Sequence, residues 1–223
     1  MNNQKNGISY CDYTWNPISG CLTRCHYCYM QRIEKRFPGI MTQAFHPERL
    51  ADPFKVKKPS KIFVGSSGDS WGAWVTPGWI ERVLDVCQEN LQHTFLFLTK
   101  NPKRYSDFLN LPTNAWYGTT VDGEKRTGEN LKILSRFSYS RSRTCFVSFE
   151  PLLVPVNPVL TNIQWIIIGA NSNRGAPKPP DEWADRIIKV ARECESAVWV
   201  KDNYRYHTRI KEFPRDCQGK YAC

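Results

Sequence analysis

The chain has little that would tie it to a membrane or an oxidising compartment. Its longest apolar stretches, Phe95-Leu-Phe-Leu and Trp165-Ile-Ile-Ile-Gly-Ala, fall well short of the about 20 residues a spanning helix needs. The start, Met-Asn-Asn-Gln-Lys-Asn-Gly, is polar and carries no secretory apolar segment. No Gly-x-Gly-x-x-Gly and no P-loop sequence occurs, which removes two common nucleotide-binding signatures. Low-complexity tracts and long linkers are also missing. These absences predict a cytoplasmic protein with no membrane partner. In that compartment nine cysteines do not read as a disulfide framework, and their odd number and uneven spacing point to metal or redox use.

What is present suits one substantial core. The 223 residues, 41% hydrophobic and 23% charged, predict a single globular domain over 1–223, with 204–223 as a C-terminal extension. The net charge of +10 suggests a polyanionic partner, nucleic acid first. Two basic clusters are interleaved with aromatics, Arg136-Phe-Ser-Tyr-Ser-Arg-Ser-Arg and Tyr204-Arg-Tyr-His. Cations beside aromatic rings suit phosphate contact and base stacking; a solvated basic surface is the plainer alternative.

Short apolar runs recur along the chain: Lys61-Ile-Phe-Val, Thr94-Phe-Leu-Phe-Leu-Thr, Trp116-Tyr-Gly-Thr-Thr-Val, Cys145-Phe-Val-Ser-Phe, Trp165-Ile-Ile-Ile and Ala197-Val-Trp-Val. They read as buried parallel strands. Helical patterns lie between several of them, at 78–90, 128–137 and 181–194. Pro77 breaks the chain before the first, and Asp181 suits the N-cap of the last. An initial strand near Ile8 to Tyr13 brings the strands to about seven. The alternation predicts an α/β fold, specifically a partial (β/α)6-type TIM-like barrel with a curved parallel sheet and outer helices. An open doubly wound sheet is the fallback.

In such folds the chemistry gathers at the C-terminal ends of strands. Those ends are polar here: Gly65-Ser-Ser67-Gly68-Asp69-Ser70, Thr99-Lys100, Thr119-Thr120, Ser148-Phe-Glu150, Gly169-Ala-Asn171 and Lys201-Asp-Asn203. Lys100 and Lys201 are candidate catalytic cations, able to neutralise a phosphate or carboxylate, or else to make rim salt bridges. Trp15, Trp71 and Trp74 flank these positions, as stacking platforms or as packing.

The densest signal is Cys21-Leu-Thr-Arg-Cys25-His-Tyr-Cys28, a C-x3-C-x2-C loop. Structural zinc usually draws two cysteine pairs, and a second pair is missing unless Cys217 and Cys223 complete it. Three close thiolates without a clear fourth fit a [4Fe–4S] cluster with one open iron better than zinc. Cys11, Cys87, Cys145 and Cys194 read as small core residues.

The spacing, with Tyr27 just before the last cysteine, resembles the signature of the radical S-adenosylmethionine superfamily. Thr14-Trp-Asn-Pro-Ile-Ser-Gly-Cys21, Phe63-Val-Gly-Ser-Ser-Gly-Asp69, Phe97-Leu-Thr-Lys100, Ser148-Phe-Glu-Pro-Leu-Leu153 and Val200-Lys-Asp-Asn203 together look like an uncharacterised phage-type family within it. The resemblance implies a [4Fe–4S] cluster on Cys21, Cys25 and Cys28, with S-adenosylmethionine on the open iron. Its reductive cleavage would give a 5′-deoxyadenosyl radical that abstracts hydrogen from a substrate. The resemblance also places Tyr27, Gly65, Ser67, Gly68, Asp69, Thr119, Ser148, Glu150 and Asn171 around the cofactor. Ser-Gly-Asp stands where the superfamily usually has Gly-Gly-Glu, so Asp69 takes the carboxylate position with a shorter reach.

The expected function is therefore a nucleobase-modifying radical enzyme with an external electron donor, working in the host cytoplasm if phage-encoded. The expected substrate is a modified pyrimidine base in DNA, undergoing rearrangement of a base substituent. Two rivals stand beside it. One is a radical enzyme acting on a small heterocycle or a partner protein; the other is a non-catalytic zinc or iron–sulfur module that binds nucleic acid.

Overall fold

The computed structural model describes residues 1–3 and 8–215. They form two compact units, Met1–Trp116 and the chain from Tyr117 onward. Cys217 and Cys223, considered above as a second ligand pair, lie outside the described residues. No described helix is long and apolar enough to cross a membrane.

The first unit carries β1 (Asn2–Asn3), β2 (Tyr13–Trp15), β3 (Ile18–Ser19), α1 (Met30–Arg36), β4 (Ala44–Phe45), β5 (Lys61–Val64), α2 (Pro77–Glu89) and β6 (Thr94–Thr99). Strands β2, β5 and β6 pair in parallel, with Thr14 opposite Phe63 and Phe63 opposite Leu96. The short β1 adds an antiparallel edge to β2, and β3 pairs antiparallel with β4. The first apolar strand begins at Tyr13, not Ile8. Residues 8–12 turn first, and Asp12 then takes the backbone N–H of Lys61 on its carboxylate at 2.8 Å.

Helix α2 buries Ile80, Val83, Leu84 and Cys87, the i, i+3, i+4, i+7 face of an amphipathic helix. Pro77 is its first residue, where the missing N–H costs nothing. The Asn114 amide nitrogen closes the other end, within 3.0–3.1 Å of the carbonyls of Cys87, Asn90 and His93. The Cys87 carbonyl also accepts the N–H of the C-cap residue Asn90 at 3.2 Å, and the Asn90 carbonyl that of His93 at 3.0 Å, so the helix end is closed by main chain and side chain together.

The second unit carries β7 (Ala115–Thr120, entering from the last residues of the first), α3 (Asn130–Arg141), β8 (Cys145–Phe149), β9 (Trp165–Ile168), α4 (Asp181–Glu193) and β10 (Ala197–Val200). Its strands run parallel in the order β7-β8-β9-β10. All residues of β8 and β9 are buried, which is why they read as continuous apolar runs. Trp165 centres this core against Phe146, Trp199 and Phe213. Its indole N–H donates to the Glu212 carbonyl at 2.8 Å.

Asp181 is not the N-cap of α4. Pro180 holds that position without a side-chain cap, and Asp181 is the first helical residue. Its carboxylate lies 2.8 Å from Lys178 and puts negative charge in the first turn, where the helix dipole favours it. Cys194 is also corrected: it follows α4 and is exposed, whereas Cys11, Cys87 and Cys145 are buried as expected. The mixed α/β class and mostly parallel strands agree with the sequence reading.

Candidate functional site

In the first unit, β2 and β5 end side by side, Trp15 opposite Val64. The chain leaving β2 passes through β3 to Gly20 and Cys21. The chain leaving β5 makes the Gly65–Asp69 turn. These two loops dock through their main chains. Gly20 and Gly68 form a parallel bridge, and the Asp69 N–H donates to the Gly20 carbonyl at 3.3 Å. A Cβ on Gly68 would lie 2.4 Å from the Gly20 carbonyl oxygen, so only glycine lets the loops approach this closely. Gly65 turns the chain at φ +82°.

The cysteine loop is held at both ends. The Cys21 N–H donates to Met41 O at 3.2 Å, and the Cys28 N–H to Cys25 O at 2.9 Å. The Gln31 amide donates to the Cys25 carbonyl from α1. Arg24 stands at φ 48°, in the left-handed region, and bends the loop between the first two cysteines. Cys25 is buried, while Cys21 and Cys28 are partly exposed. Burial pushes the Cys21 thiol above its ordinary value, hydrogen bonds with Thr23 oppose this, and the neighbouring Asp69 and Cys25 raise it further.

All three thiols are free. Their chemistry matches a three-thiolate iron site, but their present geometry does not close on one point. Among the described residues, no three His, Cys, Asp or Glu side chains converge as a metal-ready group.

Asp69 is buried at 6% exposure. Its Oδ1 accepts the Trp71 N–H at 3.1 Å and its Oδ2 the Lys100 N–H at 3.0 Å, so one carboxylate joins the β5 turn to the end of β6. Burial raises its pKa, and the Lys100 and Trp71 amides and the Thr99 side chain oppose the rise. The Lys100 ammonium lies 5.5 Å from the centre of the Tyr27 ring, bringing two expected site residues together.

Sequence reasoning passed over Asn16. Its Oδ1 accepts both the Ser67 N–H at 3.0 Å and the Ser66 hydroxyl at 3.2 Å, fixing the turn. The one signal for it was its place inside Trp-Asn-Pro. Ser19 was passed over too; its hydroxyl lies 2.8 Å from His46 Nε2 and ties β3 to the residue after β4. Trp15 and Trp71 are core packing. Trp15 donates to the Arg49 carbonyl, and Trp71 sits edge-on to Phe97, Tyr105 and Phe108. Trp74 lies over Gly72, where a Cβ would meet its ring.

In the second unit, the ends of β8, β9 and β10 bring a different set together. Lys201 and Glu150 form an ion pair, with side chains 19% and 21% exposed. Gly169, just after β9, makes room for it, since a Cβ there would lie 2.9 Å from Glu150 Cδ. Lys201 is therefore matched within the fold by another expected site residue. Ser148 is fully buried, and its hydroxyl has no hydrogen-bond partner among the described residues. Thr120 stands opposite Ser148. Thr119 alternates to the other face with Tyr117, which packs on Phe137 of α3, and so points away from Ser148. The Asn171 Oδ1 accepts the Asn173 N–H at 3.0 Å in a local turn. Asn203, not singled out among the site residues, exchanges hydrogen bonds with both backbone groups of Ala170.

No curated protein and no solved structure matches the chain. A model of a protein family of unknown function, DUF5131, matches residues 5–220, nearly the whole sequence, and the chain belongs to that family.

Proposed function

We propose that this protein is a radical S-adenosylmethionine enzyme. In this reading it holds one [4Fe–4S] cluster on Cys21, Cys25 and Cys28 and modifies a base in nucleic acid. The observation that carries the reading is the three-thiol loop fixed by backbone contacts against the turn that bears the buried Asp69. Loading would draw the thiols together, because ligand deprotonation and site ordering accompany metal binding. When bound, the cluster and S-adenosylmethionine supply a hydrogen-abstracting radical.

The chain's own residues then have definite tasks. Asp69 uses acceptor sites on the Trp71 and Lys100 backbone amides and on the Thr99 side chain, of the about four that a carboxylate offers. What remains suits one donor of an ammonium group. Lys100, over Tyr27, supplies positive charge beside the loop for a carboxylate. In the second unit, the Ser148 hydroxyl, without a partner among the described residues, is a ready hydrogen-bonding group for a polar ligand. The Glu150–Lys201 pair keeps two charges together at the strand ends.

The strand order within each unit is compatible with a partial TIM-like barrel, which forms part of this proposal. So do an external electron donor, a cytoplasmic setting and a modified pyrimidine in DNA as the substrate. A base in a duplex would have to be flipped out to react.

The test is anaerobic reconstitution with iron and sulfide, reduction in the presence of S-adenosylmethionine, and assay for 5′-deoxyadenosine. The expected result is a brown protein that forms this product, with both properties lost in Cys25→Ala. A fully loaded cluster that yields none, or a colourless zinc protein, would overturn the reading.

A further inference from the structure

The second unit has a groove beside α3, and none of its lining residues is among the candidate site residues above. Its volume is about 720 Å³, within the range of ligand pockets. The floor includes the buried Leu131 and Phe149. Its far wall is the 154–159 segment, where Val154 and Val159 are 41% and 72% exposed. From α3, Lys132 and Arg136 line the near edge. These two are four residues apart and share one helix face, and Tyr139 follows three residues later along the same face.

The charge along this edge is uneven. Glu124 and Glu129 stand at the end where α3 begins, and Glu129 lies 3.7 Å from Lys132. The opposite end carries Arg136, which is exposed, and Tyr139, which is 79% exposed. The helix itself accounts for neither. Phe137 and Ser138 do the packing, and Arg141 lies in the last turn, where the dipole favours a cation.

We infer that Arg136, Tyr139 and the adjoining apolar groove form a binding surface for single-stranded nucleic acid. In this arrangement Arg136 takes a backbone phosphate, Tyr139 stacks an unpaired base, and the groove receives an apolar base face next to it. A polyanion suits a chain of net charge +10. A single strand is specified because a flat exposed ring offers its face only to an unpaired base. The acidic end of the groove turns the phosphate track toward Arg136. This inference rests on the nucleic-acid part of the proposed function and not on its radical chemistry.

The experiment is fluorescence anisotropy of a fluorescein-labelled oligodeoxythymidylate, titrated with the full chain over a series of salt concentrations. Arg136→Ala should lower affinity and reduce the slope of log K against log salt by about 0.7, the share of one single-strand phosphate. Tyr139→Ala should weaken binding about tenfold with the slope unchanged, and Tyr139→Phe should restore it. Lys57→Ala with Lys58→Ala, an exposed pair that the proposed surface does not include, should leave the affinity within about twofold. Circular dichroism should be the same for all variants. Unchanged affinity in Arg136→Ala with Tyr139→Ala, or an equal loss in the lysine control, would overturn the inference. Formation of 5′-deoxyadenosine without substrate reads the radical chemistry separately. Loss of binding in these variants with no product from any protein would leave this surface standing and remove only the enzymatic reading.

Discussion

Gly68 stands against Gly20 so closely that a single added carbon would lie 2.4 Å from the Gly20 carbonyl oxygen. The obstacle is backbone, which cannot swing aside as a side chain would. Gly68→Ala should therefore push the cysteine loop off the β5 turn, at about 1–3 kcal/mol, the usual cost of overpacking. Urea unfolding checks the stability, and iron per chain after reconstitution checks the loop. Stability lost with iron loading intact would separate the docking contact from cluster binding.

Asp69 provides a second test. Asp69→Asn replaces one acceptor oxygen with an amide nitrogen facing a backbone N–H, at Trp71 or at Lys100. A buried donor without a partner costs about 1–3 kcal/mol, and the denaturation midpoint should fall accordingly. Asp69→Glu keeps the charge but lengthens the side chain in a 6% exposed position, so it should also destabilise.

The Glu150–Lys201 pair should be sensitive to removal of either partner. Lys201→Met leaves the Glu150 carboxylate four-fifths buried without its cation and should cost about 1–3 kcal/mol. The double variant Lys201→Met with Glu150→Gln should recover part of that loss, since no charge is then stranded. A double-mutant cycle followed by thermal unfolding measures the coupling.

Acid should weaken the second unit through Glu212. Its two oxygens each lie 2.7 Å from Arg192, and one also accepts the Val198 N–H at 3.0 Å. The Arg192 guanidinium holds its carboxyl below the ordinary value, burial opposes this, and the Val198 amide assists. A depressed folded pKa gives stability that is present above the unfolded pKa and is lost as pH falls through the folded one. Glu212→Gln should thus unfold earlier near neutral pH, by about 1 kcal/mol after solvent screening, and match the wild type at low pH. Urea midpoints across an acid series test the convergence.

The strands were legible because buried parallel strands leave no solvent face to break the apolar run. Trp165–Ile168 and Cys145–Phe149 are buried at every residue, and their sequence boundaries lie where polar residues return. The pair β3 and β4 was invisible for the opposite reason: two-residue strands carry no period, and Ser19 meets Ala44 across an intervening loop. Helix α1, Met-Gln-Arg-Ile-Glu-Lys-Arg, buries only Met30 and so shows no apolar stripe.

At the candidate site, residue types were legible and pairings were not. Nothing local in the sequence says that Gly20 faces Gly68, that Lys201 is matched by Glu150 51 residues away, or that Asn16 braces Ser67. Thr119 shows the limit most clearly: its strand was correctly read, but alternation puts Thr120 opposite Ser148. Exposed Cys194 follows from a helix end that composition does not reveal.

The cysteine loop is fastened by amides and carbonyls, Cys21 to Met41, Cys25 to Gln31 and Gly20 to Asp69, with no thiol among these fastenings. The Cys21 thiol adds hydrogen bonds with Thr23 inside the loop, which a hydroxyl also makes, so sulfur can be exchanged for oxygen without unpinning the chain. Cysteine-to-serine variants should be folded proteins that differ in what they can ligate, so each thiol can be counted by its loss.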